Sequence, residues 1–306
     1  MQTLWYLLRL FSSLAFGSLV ASLIGKQKFN KTTSISLDVI LYSLLFFMGI
    51  NTAQIPNIGS QIAAMGYDAL IATLLVVIGT IISSFLLRLF LRNKVSRTER
   101  IRQEITLARL KTPLIMITLV VLGLLGAAMT PLFNWFNSSL ITYILYALLF
   151  LVGMQMVQHE VNLIPLLKSP LMLLLPLSSL VGTYLGALFI PLFCHYSIKQ
   201  AFALVSGFGW YSLSGVMISS LGDPHLGAVS FLSNLLRETL SFILIPLLAT
   251  LSPISFSAIS VAGATSMDVT LPLLKKSLGE RVVPLAIAHG VIMTLLAPLF
   301  IPLWMR

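Results

Sequence analysis

Charge is what this chain has least of. Only 9% of its 306 residues are charged, against 58% hydrophobic, and the mean hydropathy is +0.99. Soluble domains carry roughly 25% charged residues, so a water-facing fold, a soluble enzyme with an appended anchor and a disordered chain are all excluded. A single cysteine, Cys194, rules out an intramolecular disulfide, a cysteine-based zinc site and an iron–sulfur cluster. Enzyme motifs are missing as well. There is no GxSxG, HExxH or phosphate-binding loop, and Gly207-Phe208-Gly209 is only a fragment of a dinucleotide fingerprint. The chain is therefore not expected to be an enzyme or to hold a cofactor or metal. Acidic residues number nine against 19 lysines and arginines, a net charge of +10. In a soluble protein that excess would suggest nucleic acid. Here the tendency of cytoplasmic loops to collect lysine and arginine explains it, and no nucleic-acid partner is expected.

What the chain has in abundance is long apolar runs. They fall at 4–25, 34–52, 68–91, 112–129, 140–157, 170–190, 200–221, 226–250, 254–274 and 282–304. About 20 apolar residues cross a bilayer as helix, and strict alternation of the membrane-barrel kind is absent. The reading is an all-α polytopic membrane protein. The first run does not read as a signal peptide, because Arg9 interrupts it and Lys26, Lys28 and Lys31 follow it. Residues 88–111 hold Arg88, Arg92, Lys94, Arg97, Arg100, Arg102, Arg109 and Lys111 against Glu99 and Glu104, a local +6. Lys275, Lys276 and Arg281 form another basic group, whereas 53–67 and 130–139 carry no basic residue. Basic loops in the cytoplasm put the N-terminus and the C-terminus both outside.

Two kinds of repetition organise the runs. Residues 39–54, VILYSLLFFMGINTAQ, align without gaps on 143–158, YILYALLFLVGMQMVQ, with eight of sixteen positions identical. These are the second and fifth runs. Three spans apart means opposite orientation, so spans 1–3 and 4–6 are expected to form an inverted repeat within residues 1–190. Residues 191–306 behave differently. SGFGWYSLSG at 206–215 and AGATSMDVTLP at 262–272 interrupt apolar segments at about 200–221 and 254–274 with glycine, serine and proline. Both residue types disfavour continuous helix, and unwound backbone at bilayer depth is tolerated only inside protein or beside a watery cavity. Each interrupted segment precedes an apolar helix. The favoured layout is eight transmembrane helices plus two re-entrant segments; the alternative is ten spans with two broken helices.

Acids are few enough to place individually. Asp38, Asp68, Glu99, Glu104, Glu160, Asp223 and Glu280 have loop-proximal positions, which leaves Glu238 and Asp268. A charge at bilayer depth costs about 2.5–3.5 kcal/mol even on a lenient scale, so it is a functional hypothesis by default. The competing explanation is structural, with Arg237 or another base neutralising a carboxylate. Arg237 and Glu238 are adjacent, however, and point about 100° apart on one helix. Two buried carboxylates suit a cationic passenger and can exchange it for protons. Amides around Gly207 and Gly209, at a half-helix N-terminus, would attract an anionic carboxylate. Ser212, Ser214, Thr265 and Ser266 could add hydroxyl contacts, and Trp210 and Tyr211 a cation–π contact or plain packing. His289, inside the last run, has a packing role or a proton-relay role open to it.

The blocks GFGWYSLSG and GATSMD-x-TLP, with LYSLLFFMG and Asn234-Leu235-Leu236-Arg237-Glu238, resemble the LysO lysine exporters of bacterial inner membranes, over essentially the whole chain. The resemblance implies secondary active export of L-lysine and toxic analogues such as thialysine, coupled to protons. It also implies an inner-membrane location, with Glu238 and Asp268 matching the family's embedded acids, and it brings Asn234 and Arg237 into the set of candidate substrate contacts. A homo-oligomer is compatible with such a chain. From the residues alone, a cation/proton antiporter or ion channel using the same acidic pair stays open.

Overall fold

A computed structural model describes residues 2–24, 30–91, 111–133, 135–137, 139–158, 170–251 and 256–306. The basic residues Lys26, Lys28, Arg92, Lys94, Arg97, Arg100, Arg102 and Arg109, with Glu99, Glu104, His159 and Glu160, lie outside the described residues.

Among the described residues the secondary structure is helical throughout, with no strand. The first six α-helices are α1 (Gln2–Ile24), α2 (Asn30–Ala53), α3 (Ile58–Phe90), α4 (Lys111–Met129), α5 (Ser139–Gln158) and α6 (Pro170–Ala187). Then come α7 (Ile198–Val205), α8 (Tyr211–Ser220), α9 (Pro224–Leu251), α10 (Phe256–Ala262), α11 (Leu271–Leu278) and α12 (Val283–Trp304). Among the described residues, six helical stretches are long and apolar enough to cross a membrane, and Leu8–Ile24, Leu114–Met129 and Phe256–Met267 are shorter apolar helices. Continuous helix satisfies every backbone group internally, as lipid requires.

The faces of α3 show how the bundle sits. Its buried face is small or polar, with Ala69, Ala72, Thr73, Thr80 and Ser84, while Leu70, Leu74, Ile78, Ile82 and Phe85 point outward. Such a helix would expose an apolar stripe to water; toward lipid it is the stable arrangement. Close packing among the first six helices rests on glycine. A Cβ on Gly17 of α1 would strike the Phe150 carbonyl of α5, and one on Gly123 of α4 would strike the Phe46 carbonyl of α2. Gly153 abuts Leu14 and Gly49 abuts Val120 in the same two pairs, while Gly79, Gly182 and Gly186 bring α3 and α6 together. Phe46 and Phe150 are partners in the repeated motif, 104 positions apart.

The two interrupted segments fold back. Tyr196, just before α7, donates to Asp68 in the first third of α3 (2.8 Å), and Asp223, just after α8, is near enough to act electrostatically on Tyr196. Both ends of 198–220 thus lie at one end of the bundle. Leu273, Leu274 and Leu278 of α11 share a core with Phe256 and Ile259 of α10 and with Phe242, Ile245 and Ala249 in the second half of α9. Both ends of 256–278 therefore lie at the opposite end. The tips meet in the middle, where the Ala264 amide donates to the Phe208 carbonyl (2.8 Å). Gly263, at φ 61°, presses so closely on Phe208 that no Cβ fits, and Phe208 itself has φ 51°. This crossing needs left-handed backbone, which glycine adopts without steric penalty.

Candidate functional site

The site is built on the middle of α9. Asn234, Arg237, Glu238 and Ser241 are all buried there, one helical turn apart in pairs. Asn234 fastens the first tip. Its Oδ1 accepts from the Gly209 amide (2.7 Å), and its Nδ2 donates to the Ser230 carbonyl (2.9 Å) and Ser214 Oγ (3.2 Å). Arg237 fastens the second tip. Its Nε donates to the Val261 carbonyl (3.1 Å) and its Nη2 to the Ser260 carbonyl (2.9 Å), so a cation caps the negative end of α10.

Glu238 faces the other way. It is 0% exposed, both carboxylate oxygens lack a hydrogen-bond partner, and no ion pair joins it to Arg237 among the described residues. The two adjacent residues have separate tasks, as their angular separation on one helix requires. An orphaned buried carboxylate is expensive, and this one borders a cavity.

That cavity has a volume of about 240 Å³, below the ~300–1,000 Å³ of pockets for drug-sized ligands and suited to a small solute. Glu238 and Asp268 both line it and interact electrostatically. Asp268 follows the short 3₁₀ turn Gly263–Met267; its Oδ1 accepts from the Val269 amide (2.6 Å) and its side chain is exposed. Gly209, Trp210, Tyr211, Ser212 and Thr265 line the same space. No side chain caps the start of α8, which leaves its first amides available to an anion. Tyr211 is turned aside, donating from its hydroxyl to Met116 Sδ (3.0 Å).

The other sequence candidates sit behind the wall. Gly207 packs on Ser214 and Asn234, and Asn234, Ser214 and Arg237 hold backbone and one another as described. Ser266 donates to the Ala286 carbonyl (2.9 Å) and lies 3.1 Å from His289 Nδ1, while Ser179 Oγ lies 2.8 Å from Nε2. Because the Ser266 proton is committed to Ala286, Nδ1 must donate to Ser266 and Nε2 accepts from Ser179. His289 is a buried brace joining α6, α12 and the second tip.

One acidic lining residue lies outside the interrupted segments and the α9 motif. Asp38, assigned to a span end, is the ninth residue of α2 and lines the cavity with Tyr42, one turn on. Gln155 of α5 and Thr294 of α12 also line it. Tyr42 and Gln155 fall inside the two repeated blocks, so the polar positions of that repeat were the available signal.

Taken together, fold and site define a multi-pass helical membrane transport protein with a carboxylate-lined central cavity. The family described as lysine exporter LysO matches residues 11–103 and 117–305, and the chain belongs to that family. Over 268 residues it is 32% identical to the lysine exporter LysO of Escherichia coli strain K12, covering 87% of this chain and 88% of that protein. Over 163 residues it is 40% identical to a Haemophilus influenzae protein provisionally named as a lysine exporter, covering 52% of this chain and 80% of that protein. No solved structure matches the chain.

Proposed function

We propose that this chain exports L-lysine, and basic analogues such as thialysine, across the inner membrane by proton-coupled secondary transport, with Glu238 and Asp268 binding the cation. The observation that carries the reading is Glu238: fully buried, without a hydrogen-bond partner on either oxygen, and bordering a cavity that Asp268 also lines. A carboxylate in that setting gains most from an ammonium or a proton, and taking them in turn is exchange. The uncapped start of α8 suits the α-carboxylate of the same solute.

The membrane layout that fits is eight spans with two hairpins, 198–220 and 256–278, dipping in from opposite sides. Support comes from the shared location of each hairpin's two ends and from the tip contact between Phe208 and Ala264. An inverted repeat of spans 1–3 and 4–6 accounts for the paired contacts Gly17 with Phe150 and Gly123 with Phe46. Residues 1–190 then form one half and 191–306 the transport half, with α3 and α6 making most of the joint, for instance Thr73 Oγ1 to the Ser233 carbonyl (2.9 Å). Basic loops in the cytoplasm place both termini outside.

Efflux of lysine and thialysine from loaded cells tests the reading, comparing the native chain with Glu238→Gln and Asp268→Asn. Loss of efflux in both variants at native membrane abundance is expected. Unchanged efflux in both refutes the carboxylate mechanism, and proton-driven movement of an inorganic cation without any amino acid replaces it with ion exchange.

A further inference from the structure

Asp38 is the cavity residue that neither the repeat nor the hairpins account for. It lies on α2, in the six-helix half, and faces a cavity whose other acids, Glu238 and Asp268, belong to the transport half. Three carboxylates thus border a space of about 240 Å³, an arrangement that favours a cation among them. Glu238 gives the independent sign that the space is meant for one, because its buried oxygens have no hydrogen-bond partner.

The repeat carries this acid beside one copy only. Aligning 39–54 on 143–158 pairs Tyr42 with Tyr146 and Val152 with Met48, and carries Asp38 onto Thr142. Val152 and Tyr42 line the cavity, whereas Met48 packs against Gly215 in α8. Both copies line the cavity, α2 with Leu37, Asp38, Leu41 and Tyr42 and α5 with Leu148, Val152 and Gln155, whereas Met48, further along α2, is closed against a hairpin. The start of α2 brings Asp38 to that space, and its counterpart in the repeat, Thr142, is neutral and does not line it.

We propose that Asp38 is a third carboxylate of the substrate site. It holds an ammonium of a basic amino acid during loading from the end of the bundle where α2 begins, and the neutral Thr142 leaves the opposite end without that anion. This rests on the lysine-export reading above. A dibasic solute at neutral pH carries two ammonium groups, so Asp38 can take one while Glu238 and Asp268 take the other. Loading is strengthened where Asp38 is present, and release is eased where its counterpart is neutral.

The test is uptake of radiolabelled L-lysine by inside-out membrane vesicles, which present the loading side to the medium. Asp38→Asn is expected to raise KM about five- to tenfold, as loss of one accessible charged contact does, with kcat held within about twofold; Asp38→Glu should restore KM. An unchanged KM in Asp38→Asn, alongside abolished uptake in Glu238→Gln, overturns the role of Asp38 alone. Native uptake in Glu238→Gln overturns the parent reading instead. Should Asp38→Asn give no measurable uptake, calorimetric titration of the purified variant with L-lysine decides: weakening by the same factor supports the proposal, and native affinity refutes it. Thr142→Asp is expected to lower kcat by holding substrate at the release end, and an unchanged kcat removes the one-sided part of the argument.

Discussion

Arg237 distinguishes two accounts of the charge beside Glu238. If it neutralises that carboxylate, Arg237→Lys keeps the charge and should be tolerated. In the structure its planar fork bridges two successive carbonyls, Ser260 and Val261, at the end of α10. A lysine ammonium is a point charge and cannot reproduce that geometry, so the substitution removes about one charge-assisted hydrogen bond, worth roughly 1.5–3 kcal/mol. In a chain of this size, at about 2 °C per kcal/mol, that lowers Tm by about 3–6 °C. Arg237→Met loses both bonds but relieves the desolvation of a guanidinium, and a net loss of about 2–4 kcal/mol is expected. The chain provides its own reporter. Cys194 is the single cysteine and is buried, and burial, reinforced by Asp68, pushes its thiol up to about 12 rather than the usual 9. With the pKa raised, the thiol stays protonated at pH 7–9 and unreactive while the protein is folded. A thiol-reactive fluorogenic dye therefore reports unfolding as temperature rises. A lysine variant as stable as the native chain, beside a destabilised methionine variant, would refute capping and restore the charge-pairing account.

Two other substitutions test the layout. Cysteine placed at Asp223 in a Cys194→Ser background should react with a membrane-impermeant maleimide added to intact cells; protection there, with labelling only after permeabilisation, supports ten spans. Gly123→Val should destabilise by about 1–3 kcal/mol, since its side chain must displace the Phe46 carbonyl of α2. Gly17→Val, pressing on Phe150, should match it, and a loss in one without the other argues against the inverted repeat.

Much of the fold is legible in one dimension because the solvent is lipid. A bilayer asks for about 20 apolar residues per crossing and for satisfied backbone, so most of the long apolar runs coincide with helices within a few residues; the run at 68–91 is the exception, since α3 starts ten residues earlier, at Ile58, inside the expected 53–67 loop. The breaks at 206–210 and 263–270 are equally legible, since glycine and proline mark them. The roles of neighbouring polar residues are less so. Asn234 and Arg237 belong to the same short motif as Glu238, yet they face the hairpin tips while Glu238 faces the cavity.

The sequence by itself determined that this is a helical membrane protein, where its chain is interrupted, and that Glu238 and Asp268 are costly enough to need a reason. It also carried the repeat and the family blocks. Tertiary structure alone decided which residues share a space. Asp38 lies near a helix start in the sequence, but packing of α2 and α5 against the two tips sets it on the same cavity as Glu238, 200 positions away. Hydropathy records how deep a residue sits along its own helix. The partner it meets across the bundle depends on glycine-scale helix approach and on hairpins that return to the side they left, and neither is written in the local pattern of apolar residues.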